Sequence, residues 1–164
     1  RAEGAIGEGN FELLFRGAHA SDLQRRQIEA LGIEALVRFA EPVGYAQSLS
    51  EMLGADGLLL LQGSRFDNQV PGKSYEYIRA GKPIVAVTPA DSATADSLSG
   101  VDGVFTGDEP SALAAGIREM LERSRPLERC VEVYSRRART AELAARLDAA
   151  IDGAAAYDVG LADS

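Results

Sequence analysis

Five short apolar runs punctuate the chain: FELLF (11–15), ALVRF (35–39), GLLLLQ (57–62), PIVAV (83–87) and GVFT (103–106). Each is short and bounded by Gly, Pro or charged residues, so each reads as a strand. Longer polar segments with helical periodicity lie between them. This alternation restricts the topology, because parallel neighbours need a long crossover and a helix supplies it. The expected class is α/β, a doubly wound parallel sheet with helices on both faces. GLLLLQ, apolar on both sides, is expected in the covered middle of that sheet.

The helical segments carry their own boundary signals. In SDLQRRQIEALGI, Ser21 is placed to cap, Leu23, Ile28 and Leu31 supply an apolar face, and Gly32 ends the helix. YAQSLSEML (45–53) stops at Gly54, a helix is expected over 73–80, and DSATADSLS and EPSALAAGIREMLE follow, the last with Pro110 in its first turn. After Pro126 the strands cease, and LERCVEVYSRRARTAELAARLDAAIDGAAA reads as helical throughout, packing across the domain or against a neighbour. The tail YDVGLADS is expected to fray. The reading is a domain over 1–125 and C-terminal helices over 126–164.

A net charge of −8 argues against general affinity for nucleic acid or an anionic membrane. It leaves room for a local basic pocket, and Lys73 and Lys82 are the only lysines. A single Cys130 allows no internal disulfide, and with a single His19 it offers no metal-ligand spacing. Cys130 reads as a small core residue. No apolar run is long enough to span a membrane and no signal-peptide pattern opens the chain, so a reducing, cytoplasmic setting is expected.

Ligands of open parallel sheets bind beyond the carboxyl ends of the strands. Four loops lie there: Arg16-Gly17-Ala18-His19, Ala40-Glu41-Pro42, Gly63 to Gly72, and Thr88-Pro89-Ala90. The third is the longest and most polar, well beyond the usual connection of about two to six residues. At its end Gly72 permits close backbone approach, and the N–H groups of Lys73 and Ser74 open a helix suited to a phosphate. Lys73 adds a mobile charge. Glu76, nearly one turn on, would repel a phosphate and is better placed to accept from the two hydroxyls of a ribose. The plain alternative is a turn, a solvated Lys and a first-turn carboxylate on the helix dipole. Gly-Lys-Ser without the longer Walker spacing does not separate the two. His19 reads as solvated, as do Arg25-Arg26 and Arg136-Arg137-Arg139, for which phosphate or partner contact is the lesser alternative, and of Tyr75 and Tyr77 one is expected to pack.

Taken together, FELLFRG, VRFAEPVGYAQSLSEMLGADGLLLLQ, VPGKSYEYIRAGKPIVAV and SALAAGIREMLE resemble the carboxy-terminal domain of the GT-B glycosyltransferases, the large retaining group 1 family. The resemblance covers about residues 11–122, and Pro-Gly-Lys, then Glu-Tyr, then Ala-Gly-Lys-Pro is its most specific part. YSRRARTAELAARLDAAI also looks like that family's closing helices. The resemblance implies a Rossmann-like domain binding the nucleotide of a nucleoside-diphosphate sugar, which is a substrate, with no required metal. It puts Glu76 on the ribose, the Gly72, Lys73 and Ser74 helix start near the diphosphate, and Glu41 and Pro42 beside the base. Arg16 and Gly17, after the first strand, join the donor-binding set.

Many relatives carry a second Glu eight positions before the ribose Glu, on the donor sugar; here Asn68 stands there. The family's first strand and helix are expected before residue 11, where this chain has only RAEGAIGEGN. The amino-terminal acceptor domain is absent from the sequence, so the catalytic residues and the acceptor are unknown, and the chain alone is expected to be inert. Two other readings share the fold: a nucleotide-sugar epimerase, and a non-enzymatic nucleotide-binding or interaction module.

Overall fold

The computed structural model describes residues 6, 7 and 9–159. The chain is α/β, with parallel strands joined by helices in a Rossmann-like alternation. It divides into two compact units between Met52 and Leu53.

The first unit contains β1 (Leu13–Arg16), α1 (Asp22–Ala30), β2 (Val37–Ala40) and most of α2 (Tyr45–Gly54). β1 and β2 pair in parallel, with Leu13 opposite Val37 and Arg16 opposite Ala40. That register sets Phe15 beside Phe39, their rings stacked 5.1 Å apart, a cross-strand aromatic contact that contributes about 0.5–1.5 kcal/mol beyond its burial. Ser21 caps α1 as expected and does so reciprocally: its hydroxyl accepts from the Gln24 amide, and the Gln24 side chain accepts from the Ser21 amide. Gly32 follows the helix at φ +60°. The expected apolar face of α1 is only partly covered: Ile28 is half-buried, Leu23 and Leu31 are exposed, and no residue of the helix is fully buried.

The second unit contains β3 (Leu58–Leu61), α3 (Gly72–Ala80), β4 (Ile84–Val87), α4 (Ala93–Leu98), β5 (Val104–Gly107), α5 (Pro110–Glu122) and α6 (Arg136–Val159). Its three strands are parallel in the order β3-β4-β5. β4 pairs on both sides, and Ile84, Val85 and Ala86 are all buried. The strand covered on both faces is therefore β4, not β3: β3 buries Leu58 and Leu60 and leaves Leu61 exposed. An apolar run reports hydrophobicity but not which neighbours arrive. Ile78 of α3 and Ala95 and Leu98 of α4 complete this core. α5 starts with Pro110 at its first position and lies so close to β5 that a Cβ on Gly116 would come 2.8 Å from Phe105 Cβ.

Beyond α5 the chain is not helical throughout. Residues 124–130 are irregular, a 3-10 turn covers Val131–Tyr134, and only then does α6 begin. The reason is tertiary. Asp102, in the turn before β5, accepts from the guanidinium groups of Arg123 and Arg125 and from the Glu128 amide at 2.8 Å. Arg129 donates to the carbonyls of Asp102, Lys82 and Ile78. A helix could not present these groups to one carboxylate. Cys130, next to this clasp, is exposed and not a core residue.

Candidate functional site

The residues singled out by sequence fall in both units. In the first, β1 and β2 end side by side and their following loops are tied together. Gly17, at φ +71°, donates its N–H to the Ala40 carbonyl at 2.8 Å and lies against Pro42. Arg16 donates from Nε and Nη2 to the Glu51 carboxylate and from Nη1 to the Glu41 carbonyl at 2.9 Å. The Arg16 bond holds the Glu51 carboxyl below the usual carboxylate range. Arg16 is thus half-buried and committed to its own unit, and a direct grip on a ligand phosphate would require it to release Glu51. The Glu41 and Pro42 side chains are exposed. A hollow of about 360 Å³ opens here, lined among others by His19, Arg25, Arg38, Phe39 and Glu41. Arg38 is itself engaged, forming a two-pronged pair with Glu12 at 2.7 and 2.8 Å.

In the second unit the site is built on the start of α3. Pro71 stands at the cap position and Gly72 is the first helical residue, one earlier than expected. That shift changes which amides are available. The Ser74 N–H turns back to the Pro71 carbonyl at 2.9 Å, and the Ser74 side chain is buried. Ser74 is therefore not one of the open donors; Gly72 and Lys73 are, because first-turn amides have no acceptor within the helix. Gly72 is exposed and has open space where a Cβ would point. Lys73 and Glu76 are exposed, and neither makes an ion pair or side-chain hydrogen bond among the described residues. Three residues apart, they lie on neighbouring positions of the helix surface. Asn68 is exposed in the turn that precedes the helix. Tyr77 is the packed tyrosine of the pair, its hydroxyl pKa raised by burial and then by Glu76, while Tyr75 is exposed.

The loop before α3 is held from several directions, which sequence reading did not reveal. The Gln62 amide donates to the Phe66 carbonyl at 2.8 Å, Thr94 Oγ1 donates to the Gln69 carbonyl at 2.9 Å, and the Ala93 N–H donates to the Asp67 carbonyl at 2.7 Å. α4 is itself capped by Ser92, whose hydroxyl is paired with Thr88 at 2.7 Å. Two buried atoms in this region, Asp67 Oδ1 and Ser74 Oγ, have no hydrogen-bond partner. A polar residue ending an apolar run, as Gln62 does, was the one available signal; the Thr94 contact spans 25 residues and has none.

Among the described residues no group of three or more His, Cys, Asp or Glu side chains could hold a metal ion, and no helix is long and apolar enough to cross a membrane. No family model, curated protein or solved structure matches the chain.

Proposed function

We propose that the second unit binds the ribose and diphosphate of a nucleoside-diphosphate sugar, as the donor-binding part of a glycosyltransferase. The observation that carries the reading is the start of α3. Open amides at Gly72 and Lys73, an uncommitted ammonium and an uncommitted carboxylate three residues on sit at the carboxyl end of a parallel sheet, on a loop pinned by Gln62, Ala93 and Thr94.

The chemistry divides between these groups. Amides and the helix dipole favour an anion at the first turn, and the Lys73 ammonium adds to that field. Glu76 can only accept, so its natural partners are hydroxyls, and a ribose offers two side by side. In a transfer reaction negative charge builds on the departing diphosphate, and donors fixed before the reaction stabilise it without reorganisation. A pinned loop suits that role better than a mobile one. The Ser74 N–H, bonded to the Pro71 carbonyl, lies outside this set of donors.

Backbone amide NMR during titration with UDP and with GDP tests the proposal. The expected result is that the Gly72 and Lys73 amides shift first and most, with saturable dependence on at least one nucleotide. Shifts confined to other loops under both nucleotides would overturn it.

A further inference from the structure

Every residue of α6 from Arg139 to Asp152 is exposed, and the helix packs mainly on the Val131–Tyr134 turn at its start. The same stretch carries Leu143, Leu147 and Ile151, 57%, 55% and 65% exposed. Spaced by four, they form one apolar face, extended by Ala144 and Ala150. A helix of 24 residues is about 36 Å long, and in water such a helix depends on packing one face. This face is built to be covered.

The charges indicate the partner. The first turn carries Arg136, Arg137 and Arg139 and no acid, whereas the charged side chains described after Arg146 in the helix, Asp148 and Asp152, are acidic. In the middle Glu142 pairs with both Arg139 and Arg146 at 2.8 Å. The helix is thus basic at its start and acidic beyond its middle, and the basic start has the polarity that a helix dipole disfavours. An antiparallel neighbour of the same sequence relieves both ends at once, while a parallel one would set Arg against Arg and Asp against Asp.

We propose that α6 is the interface of an antiparallel homodimer whose two-fold axis passes at Leu147. Leu147 stands midway between Leu143 and Ile151 and at the middle of the helix, so one register overlaps the whole helix and matches the whole apolar face. Leu143 of one protomer then packs on Ile151 of the partner, and the basic start lies beside the acidic far half. The contact is isologous, as a two-fold axis requires. Two helices of this length bury an area at the small end for specific complexes, so the dimer is concentration-dependent.

Sedimentation equilibrium of the full chain over a concentration series tests this. A monomer–dimer equilibrium is expected, with Leu147→Glu monomeric throughout and unchanged in circular dichroism and thermal unfolding, because Leu147 is exposed in the single chain. Orientation is read by oxidative cross-linking in a Cys130→Ser background. Leu147→Cys should cross-link to itself; Leu143→Cys should cross-link not to itself but to Ile151→Cys when the two are mixed. A wild-type chain that stays monomeric at every concentration, a Leu147→Glu chain that still dimerises, or a Leu143→Cys chain that cross-links to itself would each overturn the proposal.

Discussion

Arg16 grips Glu51 with two parallel hydrogen bonds, Nε at 2.8 Å and Nη2 at 2.7 Å, and uses its remaining nitrogen to hold the Glu41 carbonyl. One side chain therefore joins the end of β1, the loop after β2 and α2. Lysine cannot reproduce this, because it is a single point charge without the planar fork. Arg16→Lys and Glu51→Gln should both speed hydrogen exchange over residues 41–44, with a normal circular dichroism spectrum. Exchange as slow as in the wild type would show that the loop is held by something else. The Glu51 carboxyl is pulled below its ordinary range, so in the wild type this protection should survive mild acid.

Asp102 plays the corresponding part in the second unit. The Glu128 amide, then the Arg123 guanidinium, hold its carboxyl down from 3.8 to about 2. A carboxyl with a lower pKa in the folded state contributes stability that is complete above its unfolded value. That contribution is lost as pH falls from 3.8 through about 2. Asp102→Asn should lower thermal stability at neutral pH and remove this part of the acid dependence. Limited proteolysis within 123–130 should be faster in the variant than in the wild type. Equal resistance would assign the clasp to Arg129, which donates to three carbonyls independently of the Asp102 carboxylate.

Ile78 anchors α3 to the core at 1% exposure, one turn beyond the candidate site. Ile78→Ala should cost about 2–5 kcal/mol in urea unfolding. Ile78→Val should cost less than half as much. A negligible loss would mean that α3 is positioned by its loop contacts and not by its buried face.

Much of the architecture was legible because its signals are local. All five strands appear where short apolar runs predict them, the Ser21 cap is completed by Gln24 within one turn, and Gly81 closes α3 at φ +68°. Features set at long range were not legible. Pro126 marks a local stop after α5, but the irregular run on to Cys130 coincides with the Asp102 clasp, whose partners lie more than twenty residues away in sequence. The covering of β4 in place of β3 depends on which strands pair. At the candidate site Lys73 and Glu76 were recognisable from residue type and spacing. The withdrawal of Ser74 turned on a one-residue shift in the helix start, below what a Pro-Gly-Lys-Ser string can resolve.

The central claim, that Glu76 accepts from a ribose, is tested most directly by calorimetric titration of the wild type and Glu76→Ala with UDP, GDP and their 2′-deoxy forms. A hydrogen bond to a charged acceptor is worth about 1.5–3 kcal/mol, or roughly tenfold or more in affinity. The wild type should bind the better ribonucleotide about tenfold more tightly than its deoxy form. Glu76→Ala should lose that preference while keeping weak, Lys73-dependent binding. If Glu76→Ala keeps the full preference for the ribonucleotide, Glu76 does not hold the ribose and the account of this site is wrong.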